Sequence, residues 1–524
     1  MAEPASTLPP VHPVEPDDEP NRELIANVHP PGWRNPQPAS RYHLVVVGGG
    51  TAGLVSAAGA AGLGARVALV ERHLLGGDCL NVGCVPSKAV LRAARAWHGA
   101  RHGAAFGAPA APAGAAGDFA AAMARMRRLR AALSEHDGAR RFQDIGVDVF
   151  LGDGRFVSPQ EVQVDGPDGP RLRFRRAVVA TGGRAADPGI PGLDAAGYLT
   201  NETLFNLTTL PARLLVIGGG PIGCEMAQAF ARLGSRVTLI AKDTHLLPRE
   251  DADAAALVQQ AMITDGVELV LRARTIEARR DGDGDANTKV LAVECGGARR
   301  EIAADEILVA AGRAPNVLGL GLEAAGVRYG KKGVEVDNRL RTSNPRIYAC
   351  GDVASRYQFT HMADAQARLV IQNALFSLGP LGAAKASALV VPWCTYTAPE
   401  IAHIGMYEHD AKKKGIAVDT LTVPLAEVDR AVLEGDDEGF LRVHLKRGTD
   451  EILGATLVAA HAGDMIAELC LAMTKKIGLG AIASVIHPYP TESEVIKKAA
   501  DTWRRGKLTP AVKKIFGWWF RATG

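Results

Sequence analysis

Cysteine is scarce in this chain of 524 residues, with seven in all. The set is odd and scattered, at positions 79, 84, 224, 295, 350, 394 and 470. A secreted disulfide scaffold is denser in cysteine and usually even-numbered, so that class is excluded. Long apolar runs are missing too: nothing approaches the ~18 residues that a membrane span requires. No charged, apolar, then small-residue leader opens the chain, and the expected compartment is the cytoplasm. Charge of one sign is also lacking. Sixty Lys and Arg face 57 Asp and Glu for a net +3, so no nucleic acid or acidic partner is indicated. What remains is an ordinary globular composition, 47% hydrophobic and 22% charged. The length exceeds a single core and implies about three or four domains.

A third of the thirty prolines lie within residues 1–40. That stretch reads as an extended or disordered arm, with Trp33 as its anchor. An internal repeat comes next. LVVVGGGTAG at Leu44–Gly53 recurs as LLVIGGGPIG at Leu214–Gly223, and GLGARVALVE at Gly62–Glu71 recurs as RLGSRVTLIA at Arg232–Ala241. Both pairs share one offset of 170 residues without a gap. Each copy reads strand, glycine turn, helix, strand, which gives two dinucleotide-binding units of the Rossmann type.

The glycines have separate tasks in such units. Gly48 or Gly218 makes the tight turn. Gly50 or Gly220 admits a pyrophosphate to the backbone, and Gly53 or Gly223 lets helix and strand approach. The helix N-terminus then favours the phosphate charge. The second strands end differently. Glu71 closes the first and is suited to the ribose hydroxyls of an adenosine. Ala241 followed by Lys242 closes the second, where a missing acid beside a cation favours a 2′-phosphate, hence NADPH over NADH.

The most specific segment is GGDCLNVGCVPSK at Gly76–Lys88. Two thiols about one turn apart near a helix start are placed to close a disulfide, and the helix N-terminus stabilises the thiolate when it opens. No second CxxC or nearby His completes a metal site, so no metal is expected. The segment resembles the CxxxxC signature of the class I pyridine nucleotide-disulfide oxidoreductases, the family of dihydrolipoamide dehydrogenase, glutathione reductase and mercuric reductase. The resemblance covers roughly 41–505. It extends to Thr181-Gly182 in the ATGG run at Ala180–Gly183, to Gly312-Arg313-Ala314-Pro315-Asn316, and to Gly351-Asp352, whose acid is similar to the one at the flavin ribitol. Lys88 and Glu225 match the family's charged pair near flavin and nicotinamide.

The resemblance implies an α/β protein with two Rossmann-type domains, for FAD and NAD(P), and a C-terminal α+β dimerisation domain. It implies electron flow from NADPH through FAD to Cys79–Cys84, with Cys84 the flavin-facing thiolate and Cys79 the interchange thiol. It also implies a homodimer in which the C-terminal domain completes the partner's active site, acting on a small molecule. The implied division is an arm at 1–40, an FAD-binding domain at 41–195 and 316–390, an NAD(P)-binding domain at 196–315, a dimerisation domain at 391–505 and a basic aromatic tail at 506–524.

One motif departs from the family. Where a His-Pro-Thr-x-x-Glu string is usual, this chain has His487-Pro488-Tyr489-Pro490-Thr491-Glu492-Ser493-Glu494. Tyr489 takes the place of the catalytic His, Glu494 that of its Glu, and His487 lies two residues early. A phenol with an ordinary pKa of about 10 is a poor base at neutral pH but a competent donor. Mercuric reductases resemble this chain in having Tyr nearby. The vicinal cysteines that end typical ones have no counterpart here, since Cys470 is the last cysteine. His487 reads as an interface or packing residue, or as a displaced acid-base group.

The remaining cysteines Cys224, Cys350 and Cys394 read as packing residues. Arg125, Arg127, Arg128 and Arg130 read as a solvated helix face. The tail, with Lys507, Lys513, Lys514 and Arg521 among Phe516, Trp518, Trp519 and Phe520, reads first as packing over the dimer or lining the substrate mouth. Its second reading is contact with a membrane surface. The expected activity is transfer of electrons from the nicotinamide through flavin and the Cys79–Cys84 pair to a small disulfide, thione or soft metal ion. The alternatives are a peripheral membrane flavoprotein reducing a quinone and an FAD-bound redox sensor with little turnover.

Overall fold

The structure, a computed structural model, describes residues 11–109, 111–112, 115–166, 168–281, 288–377 and 382–524. It forms two compact units. The first draws on the chain up to Gly218, on Met226–Lys242 and on Glu268–Leu389; the second on Gly219–Glu225, Asp243–Val267 and Val390–Gly524.

In the first unit the strands β1 (Tyr42–Val47), β2 (Val67–Glu71) and β3 (Val147–Leu151) lie side by side in parallel. β4 (Gly154–Ser158), β5 (Glu161–Val164) and β6 (Arg171–Val179) form an antiparallel meander. β6 has two roles. Its first half pairs with β5, and its last residues run parallel to both β1 and Ile347–Ala349. Alternate residues of β1 enter different cores, Leu44 and Val46 on one face and Val45 and Val47 on the other. Both faces of the sheet are therefore covered, which is why β1 reads as an unbroken apolar run.

The repeat read from the sequence is a repeat of structure. The β1, α2 (Thr51–Gly62), β2 series is matched by Arg213–Ile217, Pro221–Leu233 and Arg236–Ile240. In the first unit, Arg213–Ile217 and Arg236–Ile240 pair in parallel and extend to Glu268–Val270 and Glu306–Val309. An antiparallel ribbon of Ala273–Arg280, Lys289–Cys295 and Ala298–Ala304 belongs to the same stretch of chain. The second unit holds an antiparallel sheet in the order Pro392–Thr395, Glu400–Gly405, Ile452–Ala459, Phe440–Lys446, Val418–Pro424. Its core is built from Ile404, Leu441 and Leu457 of the sheet with Leu469 and Ile496 of its helices.

Two expectations are corrected. Within the arm at 1–40, Glu19–Val28 is a helix, α1, rather than extended chain; residues 1–10 lie outside the described residues. Asp18 caps it by accepting the Asn21 amide, and Pro20 sits in the first turn, where proline costs no helical hydrogen bond. Leu24 and Val28, four residues apart, put one face wholly into the core. Trp33 does anchor the end of the arm, donating from Nε1 to the Val149 carbonyl. The arginine face of α5 (Phe119–Ser134) is not solvated throughout. Arg125 and Arg128 are exposed, but Arg127 and Arg130 are buried. Arg127 donates to Asp18, and Arg130 donates to the Asn21 side chain and to the Asn81 carbonyl, both at 2.7 Å. Asp18 and Asn21, which help to justify burying these cations, belong to α1 and its cap, so a reading of α5 alone misses them.

Leu24→Ala should cost about 2–5 kcal/mol of stability. Thermal unfolding followed by circular dichroism checks it, and an unchanged Tm would mean that α1 is not part of the core.

Candidate active site

The first glycine loop is shaped by close approaches. Gly48 has φ +106, and a Cβ there would lie 2.4 Å from the Ala180 carbonyl oxygen. A Cβ on Gly53 would lie 1.8 Å from the Gly48 oxygen, so α2 packs directly on the turn. At the end of β2 the Glu71 carboxylate accepts the Gly49 amide at 2.6 Å and the His73 amide at 2.7 Å. Burial pushes this carboxyl above its ordinary value, and the two amides pull it back.

The same loop positions the cysteine segment. The Gly76 amide donates to the Gly49 carbonyl, and a Cβ on Gly77 would sit 2.6 Å from the Gly50 Cα. Backbone meets backbone here, and Gly77 has no room for a side chain. Cys79 lies on α3 (Gly77–Asn81), and Cys84 is the first residue of α4 (Cys84–His102), at the positive end of its dipole. Both are free thiols. Cys79 is hydrogen-bonded to Cys84, and that bond, with burial, raises the Cys79 thiol far above its ordinary range. Cys84 is exposed, with Sγ 3.3 Å from the Thr360 hydroxyl. Lys88 lies one turn further along α4, half-buried.

Two motifs far apart in sequence interlock beside the cysteines. Gly183–Ala185 pairs antiparallel with Arg313–Pro315. Thr181 donates its hydroxyl to the Asn316 carbonyl at 2.7 Å, Asn316 returns its side-chain amide to the Thr181 carbonyl at 3.0 Å, and the Asn316 amide donates to Gly182. Gly312 enters this turn at φ +135. From it Arg313 donates to Asp78, the neighbour of Cys79, and lies 3.6 Å from the Asp352 carboxylate. Asp352 is raised to about 6 by burial, with Arg313 opposing the shift and Asp78 and Cys84 adding to it. Sequence reasoning does not assign Asp78, Arg313 or Thr360 to the site. Asp78 and Arg313 stand within family motifs, whereas Thr360 carries no local signal.

In the second glycine loop Gly218 repeats Gly48, with φ +122 and a Cβ position 2.4 Å from the Ala310 oxygen. Gly220 has open space at its Cβ position, and Lys242 is exposed after the buried Ala241. In the second unit Gly223 lies in the first turn of the Pro221–Leu233 helix, followed by Cys224 and the buried Glu225, whose carboxylate accepts the Tyr396 amide at 3.0 Å. Cys224 is fully buried, and burial raises its thiol well above the ordinary range. Cys350, also buried, is raised to about 12. Cys394 is half-buried against the second unit's core.

The C-terminal motif does not assemble as the family pattern implies. Tyr489 is 70% exposed and donates to Asp429 at 2.8 Å, and this bond raises its phenol above the ordinary value. Glu494 opens a helix, with one carboxylate oxygen buried and without a hydrogen-bond partner among the described residues. His487 is packed away, its Nε2 held 3.1 Å from both Glu468 oxygens. A second pair, unread in the sequence, joins His461 Nδ1 to Glu492 at 3.2 Å.

A glycine loop with an acid at the end of its second strand fits an adenine dinucleotide. Paired thiols beside it, with a second such fold in the same chain, define a nucleotide-driven dithiol oxidoreductase. The chain belongs to the pyridine nucleotide-disulphide oxidoreductase family, whose description matches residues 42–367, with the family's dimerisation domain at 391–500. It is 37% identical to a mercuric reductase of Streptomyces lividans over 88% of this chain and 96% of that one. It is 36% identical to a mercuric reductase of Bacillus cereus over 88% and 71%. Among solved structures it is similar to the Cu(II) complex of the HOCl-induced flavoprotein disulfide reductase RclA from Escherichia coli, with a TM-score of 0.77 and 28% identity over 88% of this chain and all of that one. The protein is a flavin-dependent oxidoreductase that uses FAD and a pyridine nucleotide, and its dimerisation domain supports homodimer formation.

Asp352 gives a pH prediction. Its folded value of about 6 exceeds the ordinary 3.8, so the folded chain retains a proton that the unfolded chain has released. This group therefore costs stability progressively as pH rises from about 4 to about 6, and the cost is then constant. Asp352→Asn should gain Tm relative to wild type across that window, in matched scans without added FAD. A difference that does not vary with pH would contradict the assignment.

Proposed function

We propose that the enzyme is an NADPH-dependent reductase in which Cys79 and Cys84 deliver two electrons to a small disulfide or thione, or to a soft metal ion. The carrying observation is the thiol pair itself, hydrogen-bonded at the start of α4 and seated by backbone contact on the first glycine loop. The relative's Cu(II) complex supports a metal ion as one acceptor. Bound FAD supplies the two-electron route between nicotinamide and disulfide. Gly48, Gly50, Gly53 and Glu71 would hold its adenosine half, and Thr181, Gly182, Gly312 and Asp352 its far half. Gly218, Gly220, Gly223 and Lys242 would hold NADPH, and Lys88 and Glu225 are the charged residues assigned to the flavin and nicotinamide.

Within the thiol pair, Cys79 keeps its proton because it donates to Cys84. Cys84, at the helix start, is the thiol that would hold a negative charge facing bound FAD. Cys79 is the thiol that meets the acceptor. Tyr489, held protonated by Asp429, acts as a proton donor there, from the C-terminal domain of the partner protomer. His487, locked on Glu468, is assigned to packing, and Glu494 to support of the Tyr489 loop. The free thiols fit a reducing cytoplasm.

The test is anaerobic NADPH addition followed by acceptor screening over disulfides, Hg(II) and Cu(II). Wild type should develop the long-wavelength absorption of a thiolate against flavin and then reduce an acceptor. Cys84→Ser should lose both while still allowing flavin bleaching by NADPH. A wild-type enzyme without that absorption would refute the mechanism. Separately, Lys242→Ala should lower the kcat/KM preference for NADPH over NADH by about tenfold, the worth of one charge-assisted hydrogen bond. A native preference for NADH would remove the assignment.

A further inference from the structure

The segment after Arg504 is used by none of the chemistry above. Pro510–Thr523 is a helix, capped by the Thr509 hydroxyl, which accepts the Val512 amide at 3.4 Å, with a proline in its first turn. None of its residues is buried. Ile515 is 63% exposed, Trp518 63%, Trp519 56% and Phe520 68%. Large apolar side chains exposed together in this way mark a surface with a partner.

Their arrangement says which partner. At 3.6 residues per turn, Val512, Ile515, Phe516, Trp518, Trp519 and Phe520 share an arc of about 200°. Lys513, Lys514 and Arg521 occupy the opposite side, with Gly517 between them. Upstream, Arg504, Arg505 and Lys507 continue the positive charge, and no Asp or Glu occurs from Arg504 to Gly524. Lys507 lies over the Trp503 ring at 4.6 Å. Fourteen residues extend about 21 Å, short of the ~30 Å hydrocarbon core, so this helix lies on a bilayer rather than crossing it. A self-paired helix across a two-fold axis would bring like charges together with no carboxylate to offset them.

We infer that the Pro510–Thr523 helix docks the enzyme on an anionic lipid surface, with its aromatic arc in the acyl boundary and its cations at the headgroups. The site is a peripheral anchor, independent of the acceptor that the thiols reduce.

Flotation of the full-length FAD-loaded enzyme with phosphatidylcholine vesicles, with and without about a third phosphatidylglycerol, tests this. Binding should require the anionic lipid, weaken roughly fivefold for each cation removed, and fall with added salt. Lys513→Glu with Lys514→Glu, and separately Trp518→Ala with Trp519→Ala, should each release the enzyme while NADPH oxidation in solution stays at the wild-type rate. Failure of wild type to float with anionic vesicles overturns the inference, as does equal binding to neutral ones. So does binding that survives charge reversal. A fall in oligomeric mass of the tryptophan variants in lipid-free solution would assign the helix to a second copy of the chain and equally overturn it.

Discussion

The Arg313 guanidinium is the tie on which the first unit's chemistry depends. It reaches Asp78, beside Cys79, and lies close to the buried carboxyl of Asp352. Without that cation Asp352 would lose the charge that opposes the effect of its burial, and Asp78 would lose its ion pair. The backbone carrying Arg313 is in turn fixed by the reciprocal Thr181 and Asn316 hydrogen bonds. Segments about 130 and 235 residues away in sequence are thereby held together at one point.

A second constraint works from the other side. Gly77 approaches Gly50 so closely that it has no room for a side chain, which sets the cysteine segment against the nucleotide loop. Behind it stands Arg130, which donates to the Asn81 carbonyl and to Asn21 of α1. The start of the chain is thus structural support for the redox pair at one remove. A burial cost for Arg130, seen in its depression to about 10, is offset by these bonds.

Much of this was legible in the sequence because the dinucleotide fold imposes glycines at fixed offsets and an unbroken apolar strand. These are local requirements, written in consecutive residues such as Leu44–Gly53. The cysteine spacing is local for the same reason. What escaped was settled by pairing at a distance. Proline content hid α1, whose reality rests on Leu24 and Val28 meeting a core built elsewhere. The burial of Arg127 and Arg130 depended on Asp18 and Asn21, about 109 residues away. The partner of Tyr489 proved to be Asp429, sixty residues upstream, and no spacing rule points to it.

That last pairing bears on what the residue at the family's His position can do. A dithiol oxidase must remove protons from its substrate, which calls for a base that is neutral and available near pH 7, the role of imidazole. Here the imidazole of His487 is occupied by Glu468, the exposed imidazole of His461 pairs with Glu492, and the phenol at the family's His position is pushed further from titration by the carboxylate it donates to. Such a phenol stays protonated near pH 7, so it is no base, and the same shift makes it a weaker acid than a free tyrosine. Reduction of a disulfide consumes protons as the two sulfurs separate, and reduction of a soft metal ion at a dithiol needs none. The proposed reading as a reductase therefore rests on the thiol pair, and a phenol at the family's His position is compatible with it without fixing the direction of electron flow.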